Sequence, residues 1–240
     1  MSSQLSYATF ISQGVQRATG TLPNGEPIFS SPITSTLISG TEDALLVDPP
    51  FTLEQTARVG DWIAKSGKRL RYIYATHGHG DHWFGSVQLA QRFPGVTVLA
   101  TPGTIAVMKL NATVGREKIF DRDFPNLIGE TPVLAQPIPE TGVTLDGVPL
   151  LPVELGHTDT DESTVLHVPS SGLVVAGDVV YNGVHSYLAE TGKDGLDRWL
   201  AALDQLKALR ADVVIAGHKN HALADDPRTI DETRRYLLER

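Results

Sequence analysis

Three histidines and an aspartate fall within six residues of this chain, in His77-Gly-His79-Gly-Asp81-His82. Alternate residues of an extended backbone point the same way, so this spacing lets His77 and His79 reach one ion together. The glycines at 78 and 80 read as hinges that turn Asp81 and His82 towards a second point. Neutral imidazoles and carboxylates are the ligands that zinc takes at about 2.0–2.2 Å. Three further candidates end strand-like runs: His157 in Leu155-Gly-His-Thr-Asp159, Asp178 in Val175-Ala-Gly-Asp178, and His218 in Ile215-Ala-Gly-His218. Strand ends are where an α/β scaffold places functional groups. The order and context of these three add to a cluster that already suits metal binding.

The elements that must position these residues read as alternating strands and helices. Ile33 to Ser39 and Ala44 to Val47 are β-rich runs bounded by Gly40 and Pro49-Pro50. Leu53 to Lys65 has helical spacing and stops at Gly67. Arg69 to Ala75 is a predicted strand with Leu70, Tyr72 and Tyr74 on one face, and it runs directly into the histidine loop. A helix from Phe84 to Arg92, a strand from Val96 to Ala100 and a helix starting at Thr104 follow. Asn111 to Thr131 shows no clear period, and suits a lid or a contact surface. Later strands are predicted at Val148 to Val153, Thr164 to Val168, Leu173 to Ala176 and Val213 to Ala216. Leu196, Trp199, Leu200, Leu203 and Leu206 form an apolar stripe, which predicts a helix over Gly195 to Leu209. A last helix is predicted after Asp226-Pro227. With no low-complexity linker, residues 1–240 read as one domain of two similar β-then-α halves.

Composition narrows the function classes. The formal charge of −8 comes from 28 acidic against 20 basic side chains, with no Lys/Arg run to track phosphates, so nucleic acid is not an expected partner. The absence of cysteine excludes disulfides, thiolate metal sites and cysteine nucleophiles together. The first residues lack a basic start and a sustained apolar core, and no stretch approaches the roughly 18 apolar residues of a membrane span. The expectation is a cytoplasmic protein with a small-molecule substrate and no membrane partner; a homo-oligomer is compatible with the sequence.

Taken together, these residues resemble the metallo-β-lactamase superfamily along nearly the whole chain. The landmarks are Asp48 in Leu46-Val-Asp-Pro49, the loop from His77 to His82, then His157, Asp178 and His218. The resemblance implies an α/β fold, an αββα sandwich of two mixed sheets flanked by helices, with the site at one edge. It implies that His77, His79 and His157 bind one divalent ion and Asp81, His82 and His218 another, with Asp178 bridging. Asp48 would steady the loop and fix a ligand tautomer; a turn aspartate before proline is the competing reading. Zinc is the first expectation for both ions, though such ligands also accept iron, manganese or cobalt. Two dications about 3.5–4 Å apart would generate hydroxide from a shared water at neutral pH and stabilise the oxyanion formed on a carbonyl. Asp81 would receive or pass on the proton, with no serine or cysteine nucleophile needed.

Within that superfamily the chain leans towards lactonases. Zinc β-lactamases usually lack the bridging aspartate and often use cysteine, whereas this chain has Asp178 and no cysteine. Tyr181 stands three residues after Asp178, an offset at which acyl-homoserine lactonases also carry tyrosine. Its hydroxyl is a candidate to hold the carbonyl or leaving oxygen. His185 and Tyr187 follow as candidate substrate contacts. Thioesterases of the glyoxalase II type and mononuclear iron persulfide dioxygenases are the alternatives. Trp83 and Phe84, just after the metal loop, read as core residues first and pocket wall second.

Overall fold

Apolar alternation in both halves of the chain produces two sheets that stack face to face. The computed structural model describes residues 5–129 and 135–239. The chain begins with β1 (Ser6–Ser12), β2 (Gln16–Thr21) and β3 (Pro27–Phe29), of which β2 and β3 form a two-stranded ribbon. Next come β4 (Ile33–Ser39), β5 (Asp43–Val47), helix α1 (Leu53–Lys65) and β6 (Arg69–Tyr74). Helix α2 (Ser86–Arg92), β7 (Thr97–Ala100) and helix α3 (Pro102–Leu110) follow. A wider, π-type helical stretch over Asn111–Phe120 extends α3, and a single turn, α4 (Asp121–Asp123), precedes β8 (Gln136–Pro137). The first sheet has the order β1-β4-β5-β6-β7-β8, parallel from β5 to β8.

The second sheet collects β9 (Val143–Leu145), β10 (Val148–Gly156), β11 (Ser163–Val168) and β12 (Leu173–Asn182). After helix α5 (Gly192–Ala208) the chain adds β13 (Val213–Lys219) and closes with helix α6 (Arg228–Leu238). Its order is β13-β12-β11-β10-β9, with β12 and β13 parallel.

Side-chain alternation sorts each strand into two layers. Leu45 and Val47 meet Leu166, Val175 and Ile215 between the sheets. Leu46 faces outward onto Val59 and Ile63 of α1 and Met108 of α3, while Val174 and Val214 face Trp199, Leu203 and Leu206 of α5. The result is the expected helix–sheet–sheet–helix sandwich. Helix α1 starts where expected because Thr52 and Gln55 close a capping box. Among the described residues, no helix is long and apolar enough to cross a membrane.

Several sequence expectations need correction. Leu70 does not share a face with Tyr72 and Tyr74. The pairing of β5 with β6 slips between Ala44–Leu70 and Leu45–Tyr72, so one extra residue bulges and Leu70 turns to the helix side. Strand β12 does not stop at Ala176 but continues to Asn182 with all ten residues buried, which places Asp178 and Tyr181 inside it. The unread segment from Asn111 is helical through Phe120, but its π-type turn closes on i→i+5 bonds and escapes a search for a 3.6-residue period. Glu130 and Thr131, the end of that segment, lie outside the described residues.

Candidate metal centre

The histidine loop leaves β6 and is anchored from β5. Asp48 has a left-handed backbone (φ 52°) at the end of β5. Its Oδ1 accepts from the Thr76 amide (2.8 Å) and its Oδ2 from the Thr76 hydroxyl (2.7 Å). Oδ2 also lies 3.3 Å from His82 Nδ1. Both hydroxyl and amide of the residue that opens the loop are therefore tied to one buried carboxylate. Gly80–His82 then forms a single 3₁₀ turn, which separates Asp81 and His82 from His77 and His79. The glycines serve this loop by leaving space rather than by hinging. Neither Gly78 nor Gly80 has positive φ, but a Cβ on Gly80 would collide with the Phe84 ring and one on Gly78 with Val107. Trp83 and Phe84 are buried in the helix-side core, and the Trp83 indole donates to the Gly78 carbonyl at 3.0 Å.

Strands β12 and β13 supply the facing half. Gly177, at φ 52°, faces the Thr76 hydroxyl so closely that no side chain fits. Next to it, Asp178 Oδ1 lies 3.3 Å from His82 Nε2 and Oδ2 lies 3.0 Å from His218 Nε2. The two histidine nitrogens are themselves 3.3 Å apart. Asp81 Oδ2 completes this end, 3.8 Å from His82 Nε2 and 3.7 Å from His218 Nε2. The Pro32 carbonyl can only accept, so His218 Nδ1 donates to it (2.7 Å) and Nε2 is left to face Asp178. Tyr181, also buried, donates its hydroxyl to Asp178 Oδ2 at 2.7 Å.

At the other end, His77 Nδ1 meets the Thr76 hydroxyl (3.0 Å), and its buried Nε2 has no hydrogen-bond partner. His79 Nε2 is 3.0 Å from Glu190 Oε1, and its Nδ1 is 2.9 Å from Asp159 Oδ2. Among the described residues, three groups offer ligand atoms within 4.8 Å of one another: Asp48, His77 and His82; His77, His79 and Asp159; and Asp81, His82 and His218. His157 is in none of them. Its Nδ1 pairs with Asp161 at 2.7 Å, and its buried Nε2 lies 2.7 Å from where a Cβ on Gly195 would stand. Asp159 and Glu190 were missed from the sequence. The signal available for Asp159 was the second acidic-ligand type two residues after His157.

Burial and charge pull these groups in opposite directions. Burial disfavours the His82 cation, yet Asp178, Asp81 and Asp48 outweigh it and push the imidazole up to about 10. Burial likewise opposes charge on Asp178, but His218 and His82 hold its carboxyl well below the ordinary range. Burial and the Asp178 charge both raise the Tyr181 phenol, so it remains a donor. Carboxylates packed this tightly demand positive charge, which dications supply more fully than protonated imidazoles. The unpartnered His77 Nε2 and the mixed imidazole–carboxylate donor set fit a metal centre.

A cavity of about 340 Å³ opens onto the cluster, touching His79, Asp81, Asp178, Tyr181 and His218, with Phe29, Phe120 and Phe124 as apolar wall. Of the expected substrate contacts, Tyr187 is 40% exposed and sets its ring edge-on to His79 (5.4 Å), while His185 lines the cavity with Nδ1 2.9 Å from the Tyr236 hydroxyl.

A two-sheet sandwich that gathers a buried His/Asp cluster suits metal binding. The chain belongs to the metallo-beta-lactamase superfamily, whose pattern matches residues 30–218. It is 24% identical over 199 residues to the metallo-beta-lactamase type 2 of Bacteroides fragilis, covering 79% of this chain and 70% of that protein. Its structure is similar to a metallo-beta-lactamase from Pontibacter korlensis, with a TM-score of 0.67 and 22% identity over 99% of this chain and 100% of that one. It is also similar to the metallo-beta-lactamase FIM-1 from Pseudomonas aeruginosa in its mono-zinc form, with a TM-score of 0.67 and 18% identity over 98% of this chain and 91% of that one. At such identities the structural likeness carries the fold alone.

Proposed function

We propose that this protein is a dinuclear, zinc-type hydrolase that opens a lactone or a related cyclic ester or amide. The observation that carries this reading is the Tyr181 hydroxyl, held 2.7 Å from Asp178 Oδ2 at the floor of the cavity. In this reading His77, His79 and His157 would hold one ion, Asp81, His82 and His218 the other, and Asp178 would serve both; the buried Nε2 atoms of His77 and His157 are both without a hydrogen-bond partner. When bound, the ions would supply an acidified water and polarise the substrate carbonyl.

The chain's own groups do the rest. His218 and His77 each present one fixed nitrogen, because Pro32 O and the Thr76 hydroxyl occupy the other. Asp81, whose side chain is 24% exposed, is the carboxylate open enough to the cavity to take up a proton from the attacking water. The Tyr181 phenol stays protonated, and by turning its one hydrogen from Asp178 Oδ2 it can donate to the oxygen that departs from the opened ring. Phe29, Phe120 and Phe124 give an acyl chain an apolar wall. The absence of cysteine and the presence of Asp178 support a lactonase-like site over a β-lactamase one.

A panel of lactones, β-lactams and thioesters on zinc-loaded protein tests the reading. Lactones are expected to exceed both other classes in kcat/KM by at least roughly tenfold. A protein that carries one iron, consumes oxygen with a sulfur substrate and leaves lactones intact contradicts it.

A further inference from the structure

We propose that Arg17 is the recognition point for a carboxylate carried by the substrate outside the bond that breaks. The proposal rests on the hydrolase reading above and narrows its substrates to rings that bear an anionic group. Arg17 lies in β2, and its side chain, 34% exposed, lines the cavity that opens onto the His/Asp cluster. Among the described residues lining that cavity it is the sole Arg or Lys, set against the carboxylates of Asp81, Asp178 and Glu190.

The ion pair that Arg17 makes does not exhaust its donors. Its Nη2 donates to Oδ2 of Asp123, a fully buried residue of α4. Arg122 already meets both oxygens of that carboxylate, from Nε to Oδ1 at 2.7 Å and from Nη2 to Oδ2 at 3.2 Å. The Thr19 hydroxyl donates to Oδ1 as well, at 2.6 Å. Two guanidiniums therefore share one carboxylate, and one positive charge is left over in a chain of formal charge −8. Nε and Nη1 of Arg17 have no hydrogen-bond partner among the described residues. With one Nη2 hydrogen on Asp123, one edge of the planar group still presents two parallel N–H donors, the shape that takes a carboxylate.

The tie to Asp123 fixes the guanidinium before a ligand arrives, so little side-chain freedom remains to be lost on binding. Ser30, just after β3, lines the same cavity; its Oγ accepts from the Val15 amide at 3.0 Å, which leaves the hydroxyl hydrogen to give. Phe29, whose strand partner is Gln16, and Phe124, next to Asp123, make the neighbouring wall apolar, where a charged hydrogen bond is stronger than in water. A separate cation gives a carboxylate its own place and leaves the His/Asp cluster to the ring carbonyl. Without it the anion would compete for the bound ions.

Calorimetry and kinetics with two γ-lactones test this on the zinc-loaded full chain, one ring bearing a carboxylate and the other a methyl group at the same carbon. Wild type is expected to bind the carboxylate ring at least about tenfold more tightly, and to open it with a kcat/KM higher by a similar factor. Arg17→Met is expected to bring the ratio of the two rings down to about one, with the loss for the carboxylate ring in KM rather than kcat. Arg17→Lys keeps the charge and the tie to Asp123 but lacks the fork, and is expected to keep a preference of roughly threefold. It carries the test alone if loss of the tie unfolds Arg17→Met. Equal affinity of the two rings in wild type, or a preference undiminished in these variants, overturns the assignment, and ring opening then leaves the proposed hydrolase standing. A binding preference that the variants lose, with neither ring opened, upholds Arg17 and overturns the lactone reading.

Discussion

The two ends of the metal centre are assembled in different ways. His82, Asp178 and His218 come from three distant chain segments, yet their facing atoms lie 3.0–3.3 Å apart and all three side chains are buried. His77 and His79 come from one short loop, and their end reaches the cavity through His79, Tyr187 and the half-exposed Glu190. The first end is held by the sheet sandwich, because Asp178 sits inside β12 and His218 inside β13. The second depends on loop residues that brace one another. Both ends reach the cavity, the first through Asp81, Asp178 and His218 and the second through His79, so the difference lies in what holds them: strands in one case, a braced loop in the other.

The comparison predicts different losses at each end. Asp178→Ala and His79→Ala are both expected to abolish hydrolysis, by more than the roughly 10²–10³-fold that loss of one oxyanion donor costs, with circular dichroism unchanged. Retained turnover in either variant would break the shared-site picture. Asp48→Asn comes next. It removes an acceptor from Thr76 and faces an amide to His82, so metal affinity is expected to drop about 10–100-fold. Unfolding is expected about 1–3 kcal/mol earlier, read by denaturant titration, since the buried Thr76 groups lose a partner. Affinity and stability both at wild-type level would mean Asp48 is a turn residue only.

Tyr181→Phe is expected to lower kcat for lactones by roughly tenfold while metal content stays constant. Equal kinetics in the two proteins would remove the lactone lean. The smallest effect concerns pH. The raised His82 group contributes stability that is complete below its ordinary value of 6.5 and fades as pH climbs through about 10. Asp178, with a lowered carboxyl, contributes above its ordinary value of 3.8 and loses this only as pH falls through its depressed one. Chelated protein is therefore expected to lose thermal stability between pH 7 and 10, on the order of a few degrees, whereas metal-loaded protein is not. Parallel melting curves for the two forms across that range would contradict this.

Much of this was legible in the residues. The loop from His77 to His82 carries its candidate ligands within six residues, whereas Asp178 and His218, each after an apolar run, stood out only through their order and the family resemblance. The sandwich followed from the same strand and helix runs. What stayed hidden depends on single backbone events that patterns do not count. Gly156, at φ 82°, turns the chain out of β10, and Asp159 comes to lie beside His77 and His79. The slip at Arg71 reverses Leu70. Gly177-Asp178 looks like a strand end, although Val179, Val180 and Tyr181 continue the buried strand behind it. Strands β2 and β3 are short or largely exposed, and β1, though seven residues long, buries only Ser12, so none shows the apolar alternation that marks a strand.

Anomalous diffraction from crystals of the metal-loaded protein tests the central claim most directly. Two peaks about 3.5–4 Å apart are expected, one beside His77 and His79 and one between His82 and His218, with Asp178 reaching both. A map with no peak at either position would contradict the account.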